Sequence, residues 1–330
     1  MLACGPGRRR GFLNLVAALA GALACATASA QAFPNRPIRL IIPFAPGGGT
    51  DVSGRVAAHY ISEKLGVTLV VENRIGGSGA VALEYVSKAA PDGYTLLFSS
   101  PDATTSMPLI RKNLPFDVQK DFIPLVQTGT ADFVFAVNPK VPVTTIEELI
   151  ALAKAKPGML RYSSAGNGTT LHVMGEMLKY RTGIDMVHVP YKSGGQAAID
   201  TAAGHVEVIS TALLVINNQI KSGQLRPLVI SSAQRSTILP ELPTMTERGF
   251  ANFVATSWFG VFAPKGLPQP LVMKLSDDIA AAASTPEFRA RMTATAMNPH
   301  VLVREDFARY IARERENWRE VIEAVKISAE

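Results

Sequence analysis

The sequence predicts an α/β fold built on one parallel-rich sheet or two. Three observations carry this reading: short, nearly continuous apolar runs recur along the chain, helical periodicity separates them, and Gly-rich turns join several runs to the helix that follows. IRLIIPF (38–44) reads as a strand buried on both faces and is followed by a helix over 51–65. TLVVEN (68–73) is a second strand, followed by helix 80–89 and strand TLLFSS (95–100). After an irregular region the pattern resumes with helix 145–155, where Thr145 and Glu148 have capping-box spacing. RYSSA (161–165), helix 170–181, MVHVPY (186–191), helix 195–203, VEVIST (206–211) and LRPLVISS (225–232) complete the strand-rich part. The remainder is helical. Thr285-Pro286 is a cap followed by proline at the first helical position. Phe307, Ile311, Trp318, Ile322 and Val325 share one face of the last helix, as in a helix docked on a core.

The 330 residues suffice for two domains, and 47% hydrophobic with 18% charged residues is the balance of a soluble globular chain. The first thirty residues stand apart. Arg8, Arg9 and Arg10 precede an Ala/Leu-rich core and the small-residue site Ala28-Ser29-Ala30, the layout of a cleaved export signal (1–30). The core is short of the roughly 20 apolar residues of a membrane span. Arg9-Arg10-Gly11-Phe12-Leu13 resembles a twin-arginine motif, with Sec export as the alternative route, and a lipoprotein site at Cys25 is the weaker reading of the same stretch. Either export route places the mature chain in the periplasm. Both cysteines, Cys4 and Cys25, fall inside the signal, so no disulfide, thiolate nucleophile or thiolate metal site is expected afterwards. Losing three arginines and no acid also lowers the formal net charge from +6 to +3. With no block of Lys/Arg interleaved with aromatics, nucleic-acid binding is not expected.

The candidate site lies in the turns. Strand 38–44 runs into Gly47, Gly48, Gly49 and Thr50, and a helix follows near Asp51. Three glycines at a helix N-terminus expose amide donors and the positive end of the helix dipole, an arrangement that accepts anions. A tight turn with Asp51 as N-cap is the structural alternative. SSAGNGTTLH (163–172) repeats the pattern with Gly166, Gly168, Thr169 and Thr170, and VPYKSGGQ (189–196) repeats it with Lys192, Ser193, Gly194 and Gly195. Ligands of open α/β sheets bind beyond the carboxyl ends of the strands, where such loops gather. One early loop and two later ones suggest an anion gripped from two sides.

Other chemistries fit less well. Gly49-Thr50-Asp51 lacks the lysine of a Walker A loop, and GGSGA (76–80) ends on Ala80 where a nucleophile elbow needs glycine. Histidines 59, 172, 188, 205 and 300 have no metal-binding spacing, so neither a metal nor a cofactor is expected. Residues 77–82 do fit the dinucleotide fingerprint, with Asp102 as the acid for a ribose. The alternative function is therefore an exported NAD(P)-dependent oxidoreductase.

Residues 43–51, ENRIGGSGAVALEYVSKAAPDGYTLLF (72–98), SSAGNGTTLHVMGEML (163–178), HVPYKSGGQAAIDTAAGHVEV (188–208), LPTMTERGF (242–250) and SWFGVFAPKGLP (257–268) together resemble the Bug family. These are extracytoplasmic solute receptors associated with tripartite tricarboxylate transporters, and the likeness spans the mature chain. The resemblance implies a non-enzymatic, monomeric, periplasmic-binding-protein-like α/β fold, with two lobes of mixed, mostly parallel sheets joined by a two-segment hinge. Lobe 1 would comprise 31–128 and 259–330, lobe 2 would comprise 129–258, and the crossings would lie near 127–133 and 256–259. A small organic carboxylate would bind between the lobes. The partners would be the membrane subunits of a tripartite tricarboxylate-type transporter or, for a signalling receptor, a sensor kinase. The expected ligand-binding set is Phe44, Ala45, Gly47, Gly48, Gly49, Thr50, Asp51 and Ser99 from lobe 1. Lobe 2 would add Ala165, Gly166, Asn167, Gly168, Thr169, Thr170, Tyr191 and Ser193. Ile75 and Ser78 replace a proline and a glycine usual in the family, Ala82 stands where glycine is frequent, and IDTAAGHVEV lacks the usual Leu-Leu-Gly-Gly. These departures bear on ligand identity rather than on the fold.

Overall fold

The βαβ pattern expected at the start of the chain is present. In the computed structural model, which describes residues 33–251, 253–325 and 327, strand β1 (Ile38–Ile42) pairs in parallel with β2 (Leu69–Asn73) and with β3 (Thr95–Ser99). The expected export signal lies outside the described residues. Helix α1 (Gly49–Leu65) connects β1 to β2, and α2 (Ala80–Ser87) connects β2 to β3. Ile38, Leu40, Ile41 and Ile42 are all buried. With both faces of β1 covered, the strand needs no polar alternation.

The region read as irregular is ordered. A π-helical turn (Asp102–Ser106) and two short helical pieces lead into β4 (Phe122–Val137), a strand of 16 residues. Helix α3 (Ile146–Ala155) follows, and the Thr145 side chain accepts from the Glu148 amide at 3.2 Å, as its spacing predicts. The reciprocal bond is displaced by one residue, because Glu148 Oε2 accepts from the amide and hydroxyl of Thr144. A second parallel set then forms, with β5 (Arg161–Ser164) between β6 (Val187–Pro190) and β7 (Val208–Ala212). Helices α4 (Thr170–Thr182) and α5 (Gly194–Ala203) are its crossovers. Sequence reading ran β7 directly into the next strand. Instead α6 (Leu213–Lys221) intervenes before β8 (Arg226–Ile230).

Strand β9 (Thr256–Pro264) pairs antiparallel with β3 and with residues 122–132 of β4, while residues 133–137 of β4 pair antiparallel with β7 and β8. Helices α7 (Gln269–Ala283) and α8 (Pro286–Ala294) lead to β10 (Asn298–Val303), also antiparallel to β4, and then to α9 (Glu305–Val325). Thr285 caps α8 by accepting from the Phe288 amide at 3.2 Å. Among the described residues, every antiparallel pairing involves β4 or β9. The result is one ten-stranded mixed sheet in which two parallel βαβ sets are joined through these two strands. Residues Gln127 to Asp132 of β4 lie opposite Gly260 to Thr256 of β9. On α9, Phe307, Trp318 and Ile322 are buried, with Ile311 and Val325 half-buried beside them. That is the docked face its periodicity predicted. No helix of the described residues is long and apolar enough to cross a membrane.

Candidate functional site

The three Gly-rich turns meet. A Cβ built on Gly195 would lie 2.6 Å from the carbonyl oxygen of Gly47, and one on Gly48 would lie 3.3 Å from the Ser193 Cβ. Beside this contact is a narrow cavity of ≈ 20 Å³ lined by Phe44, Gly48, Gly49 and Thr50 of the first turn. The opposite wall carries Ala165, Leu171, Gly194, Thr211, Ala212 and Val215, and the strand crossing contributes Phe133, Ser257 and Phe259. The volume is room for about one water, so a larger ligand would require the facing turns to part.

Four helices begin at this cavity. The N-cap of α1 is Gly48, in extended conformation and with no side-chain cap. Asp51, the alternative cap, is turned away. Its carboxylate accepts from the Gly47 amide at 3.0 Å, from Arg55 Nε at 3.0 Å and from Asn73 Nδ2 at 2.9 Å, which ties the turn down. Helix α6 starts after Ala212, again with no side-chain cap. Helix α5 is capped by Ser193, whose hydroxyl accepts from the Gln196 amide at 3.3 Å. Helix α4 is capped by Thr169, which accepts from the His172 amide. First-turn amides have no intrahelical acceptor. Uncapped helix starts around one small cavity therefore offer donors and positive potential to an anion.

Asp102 also lines the cavity. Its Oδ1 accepts from the Thr170 amide at 2.8 Å and from the Thr170 hydroxyl, and Ser100 Oγ, itself bonded by Thr50 Oγ1 at 3.0 Å, donates to Oδ2 at 3.4 Å. Burial pushes the pKa of Asp102 up, and the bonds from Thr170 and Ser100 pull it back. Thr211 Oγ1 is buried with no hydrogen-bond partner among the described residues, 3.1 Å from where a Cβ of Gly194 would stand. A buried hydroxyl left unpaired is costly, so this one is suited to a ligand atom.

Five residues of the expected set line this cavity: Phe44, Gly48, Gly49, Thr50 and Ala165. Phe44 and Ala165 also border an outer chamber of ≈ 320 Å³ that is lined by Gly166, Asn167 and Tyr191, together with Ser78, Arg111 and Lys192. The Ser78 hydroxyl donates across this chamber to the Asn167 carbonyl. Ala45, Gly47, Asp51, Ser99, Gly168, Thr169, Thr170 and Ser193 line neither space. Several of them hold the loops in shape: Thr169 Oγ1 donates to the Gly166 carbonyl at 2.8 Å, and Gly168 donates to His172 Nδ1 at 3.2 Å. The Tyr191 hydroxyl donates to Asp200 at 2.8 Å, and burial with that bond holds its pKa at about 12. Sequence reasoning missed Thr211 and gave Asp102 a different role. Both sit at carboxyl ends of strands, so the strand-end rule that found the glycines would also have reached them.

The dinucleotide reading is not supported. The amides of Gly79 and Val81 point back to the Gly76 carbonyl at 3.1 and 3.4 Å, so they are turned from any pyrophosphate. Asp102, meant for a ribose, is engaged by Thr170.

Behind α4, His172 and His188 stack at 4.0 Å, with Tyr162 on the far side of His188 at 4.8 Å. They are packed, as expected from sequence. Burial first, then the neighbouring His172, holds the His188 pKa at about 3, below its ordinary 6.5. In acid the unfolded chain therefore binds a proton that the folded one refuses. This contribution to stability is complete above pH 6.5 and is lost as pH falls toward about 3. The expected slope is at most ~1.4 kcal/mol per pH unit. Urea unfolding across that interval should show it, and His188→Gln should flatten it. An equal slope in the variant would locate the acid sensitivity elsewhere.

Comparison with known proteins agrees with this geometry. Residues 53–327 match the model of the tripartite tricarboxylate transporter family receptor. BugT of Bordetella pertussis is 36% identical over 298 residues, covering 90% of this chain and 91% of that protein. An R. palustris protein solved with adipate superposes with a TM-score of 0.87 at 31% identity, covering 90% of this chain and 99% of that one. MatC of Rhodopseudomonas palustris with bound malate gives 0.82 at 26% identity, covering 88% and 100%. With a match over most of its length and the fold in common, the chain belongs to the tripartite tricarboxylate transporter receptors, the Bug family that its loops resemble.

Proposed function

We propose that the protein captures a small organic carboxylate in the cavity between its lobes and presents it to the membrane subunits of a tripartite tricarboxylate-type transporter. The observation that carries this reading is the start of α1: Gly48, Gly49 and Thr50 line the cavity at a helix N-terminus that no side chain caps. A carboxylate there accepts from backbone amides and is stabilised by the helix dipole, with each charge-assisted bond contributing about 1.5–3 kcal/mol. Thr211 supplies a further hydroxyl. The adipate and malate complexes of the two relatives support the ligand class. Capture is non-covalent and the protein acts as a monomer. Lobe 1 comprises 31–128 and 259–330, lobe 2 comprises 129–258, and closure brings the turns at Gly47 and Gly195 together.

A thermal-shift screen of small carboxylates and nicotinamide dinucleotides tests the reading. At least one carboxylate should raise the melting temperature, by about 2.7 kcal/mol of stabilisation at a hundred times its Kd. Stabilisation by dinucleotides with no response to any carboxylate would overturn it. The exported protein should begin near Gln31. An intact mass with a lipidated Cys25 as the first residue would refute that processing.

A further inference from the structure

We infer that the outer chamber is a second anion subsite, in which Arg111 and Lys192 hold the far carboxylate of an elongated dicarboxylate. This rests on the carboxylate reading above and narrows it. The inner cavity has room for about one water. A ligand with one carboxylate at the start of α1 therefore has to place its body in the outer chamber of ≈ 320 Å³, which shares Phe44 and Ala165 with the inner space. That volume lies in the range of small-molecule sites.

The charge on the outer wall is all of one sign. Arg111 and Lys192 line the chamber, and among the described residues lining it none is acidic. Neither cation forms an ion pair among the described residues. Arg111 comes from the segment after β3 and Lys192 from the turn after β6, so they approach from different parallel sets. The Arg111 guanidinium lies over Gly77, where a Cβ would be 2.7 Å from Nη1, and Nη1 donates to the Gly77 carbonyl at 3.4 Å. The neighbouring Ser78 hydroxyl donates across the chamber to the Asn167 carbonyl. Gly166 packs on the Tyr191 carbonyl, 3.1 Å from where its Cβ would stand, and Lys192 follows directly. Asp200, the acid beyond Tyr191, is engaged by the Tyr191 hydroxyl at 2.8 Å. Two unpaired cations facing one partly enclosed space raise its positive potential and favour an anion there. The guanidinium has further N–H donors in a planar fork that matches a carboxylate. A monocarboxylate of equal length would cover both cations with a methyl group, desolvating charge with nothing to offset it.

Isothermal titration of pairs matched in carbon skeleton tests the assignment: hexanoate against adipate, octanoate against suberate and benzoate against terephthalate. In at least one pair, wild-type protein should bind the dicarboxylate tighter by about tenfold or more, a ratio equivalent to 1.4 kcal/mol. Arg111→Gln combined with Lys192→Gln removes both charges and keeps hydrogen-bonding side chains, and should bring that ratio to within about threefold of one. Lys192→Gln alone, at an exposed position, should lower the ratio in the same direction should the double variant fail to fold. A wild-type ratio below about tenfold in every responding pair overturns the inference and leaves the carboxylate reading standing, and so does a ratio that neither variant lowers. Folded wild-type protein that binds no member of any pair overturns the carboxylate reading itself, and the assignment with it.

Discussion

Gly195→Ala should weaken ligand binding by roughly ten- to a hundredfold, equivalent to about 1.4–2.8 kcal/mol, while leaving the ligand-free protein as stable as wild type. Gly195 is the second residue of α5, where alanine is a better helix former than glycine. The added methyl would stand 2.6 Å from the carbonyl oxygen and 2.8 Å from the carbonyl carbon of Gly47, on the facing turn. Neither atom belongs to a flexible side chain, so the two backbones must separate and the cleft cannot close fully. Gly48→Val makes the same test from the other side. Its Cβ would sit 3.3 Å from the Ser193 Cβ, with the branched methyls entering cavity space. Gly48 is extended at φ −79°, and in this turn the left-handed residue is Gly47 at φ 83°. The obstruction at Gly48 is therefore steric. Calorimetric titration paired with melting curves separates the two outcomes. Unchanged affinity in both variants would mean that these turns do not meet in the bound state.

Phe307→Ala should cost about 3–5 kcal/mol of folding stability, the usual cost of deleting a fully buried aromatic side chain. Phe307 sits at the start of α9, its ring 5.2 Å edge-on from Trp258 and 5.3 Å from Phe262, both on β9. Its Cζ fills the space over Gly260, where a Cβ would approach to 2.5 Å. Truncation leaves a void beside β9, flanked by β-strand backbone that relaxes little. With an unfolding entropy near 2.1 cal/mol/K per residue, the melting temperature should fall by roughly 5–8 °C. Circular dichroism melts measure it. A loss below about 1 kcal/mol would show that the site collapses and that α9 is not anchored through this ring.

Both predictions turn on contacts between segments far apart in the chain, and that is where sequence reading and structure diverge. Strands β1, β2, β3, β5 and β6 and helices α1 to α5 were read correctly within a few residues. Their signals are local: apolar runs of strand length, helical periodicity, Thr145 and Thr285 as caps, and glycine turns. Helix α6 was missed because LLVINNQIK, following directly on the apolar β7, lacks a cap and has the β-branched content of a strand. Strands β4 and β9 were missed for another reason. Gln127, Thr128 and Asp132 interrupt the apolar pattern of β4, yet all three are buried, because β4 has neighbours on both edges. That pairing sets Thr130 opposite Trp258, and no local window contains both residues.

The same division runs through the site. The sequence by itself determined which turns could hold an anion, since three glycine-rich strand-to-helix turns with hydroxyls are properties of short stretches, and it determined the family through their order. Only the tertiary structure decided which residues of those turns face the cavity. Thr169 and Thr170 carry the expected hydroxyls but spend them on Gly166 and Asp102. Thr211 and Asp102, unremarkable in their own stretches, are placed on the cavity wall by strand ends from the two parallel sets. The physical reason is that a side chain's partner is set by whichever surface packs against it. Here that surface belongs to a distant segment, for Asp102 and Thr170 one 68 residues away.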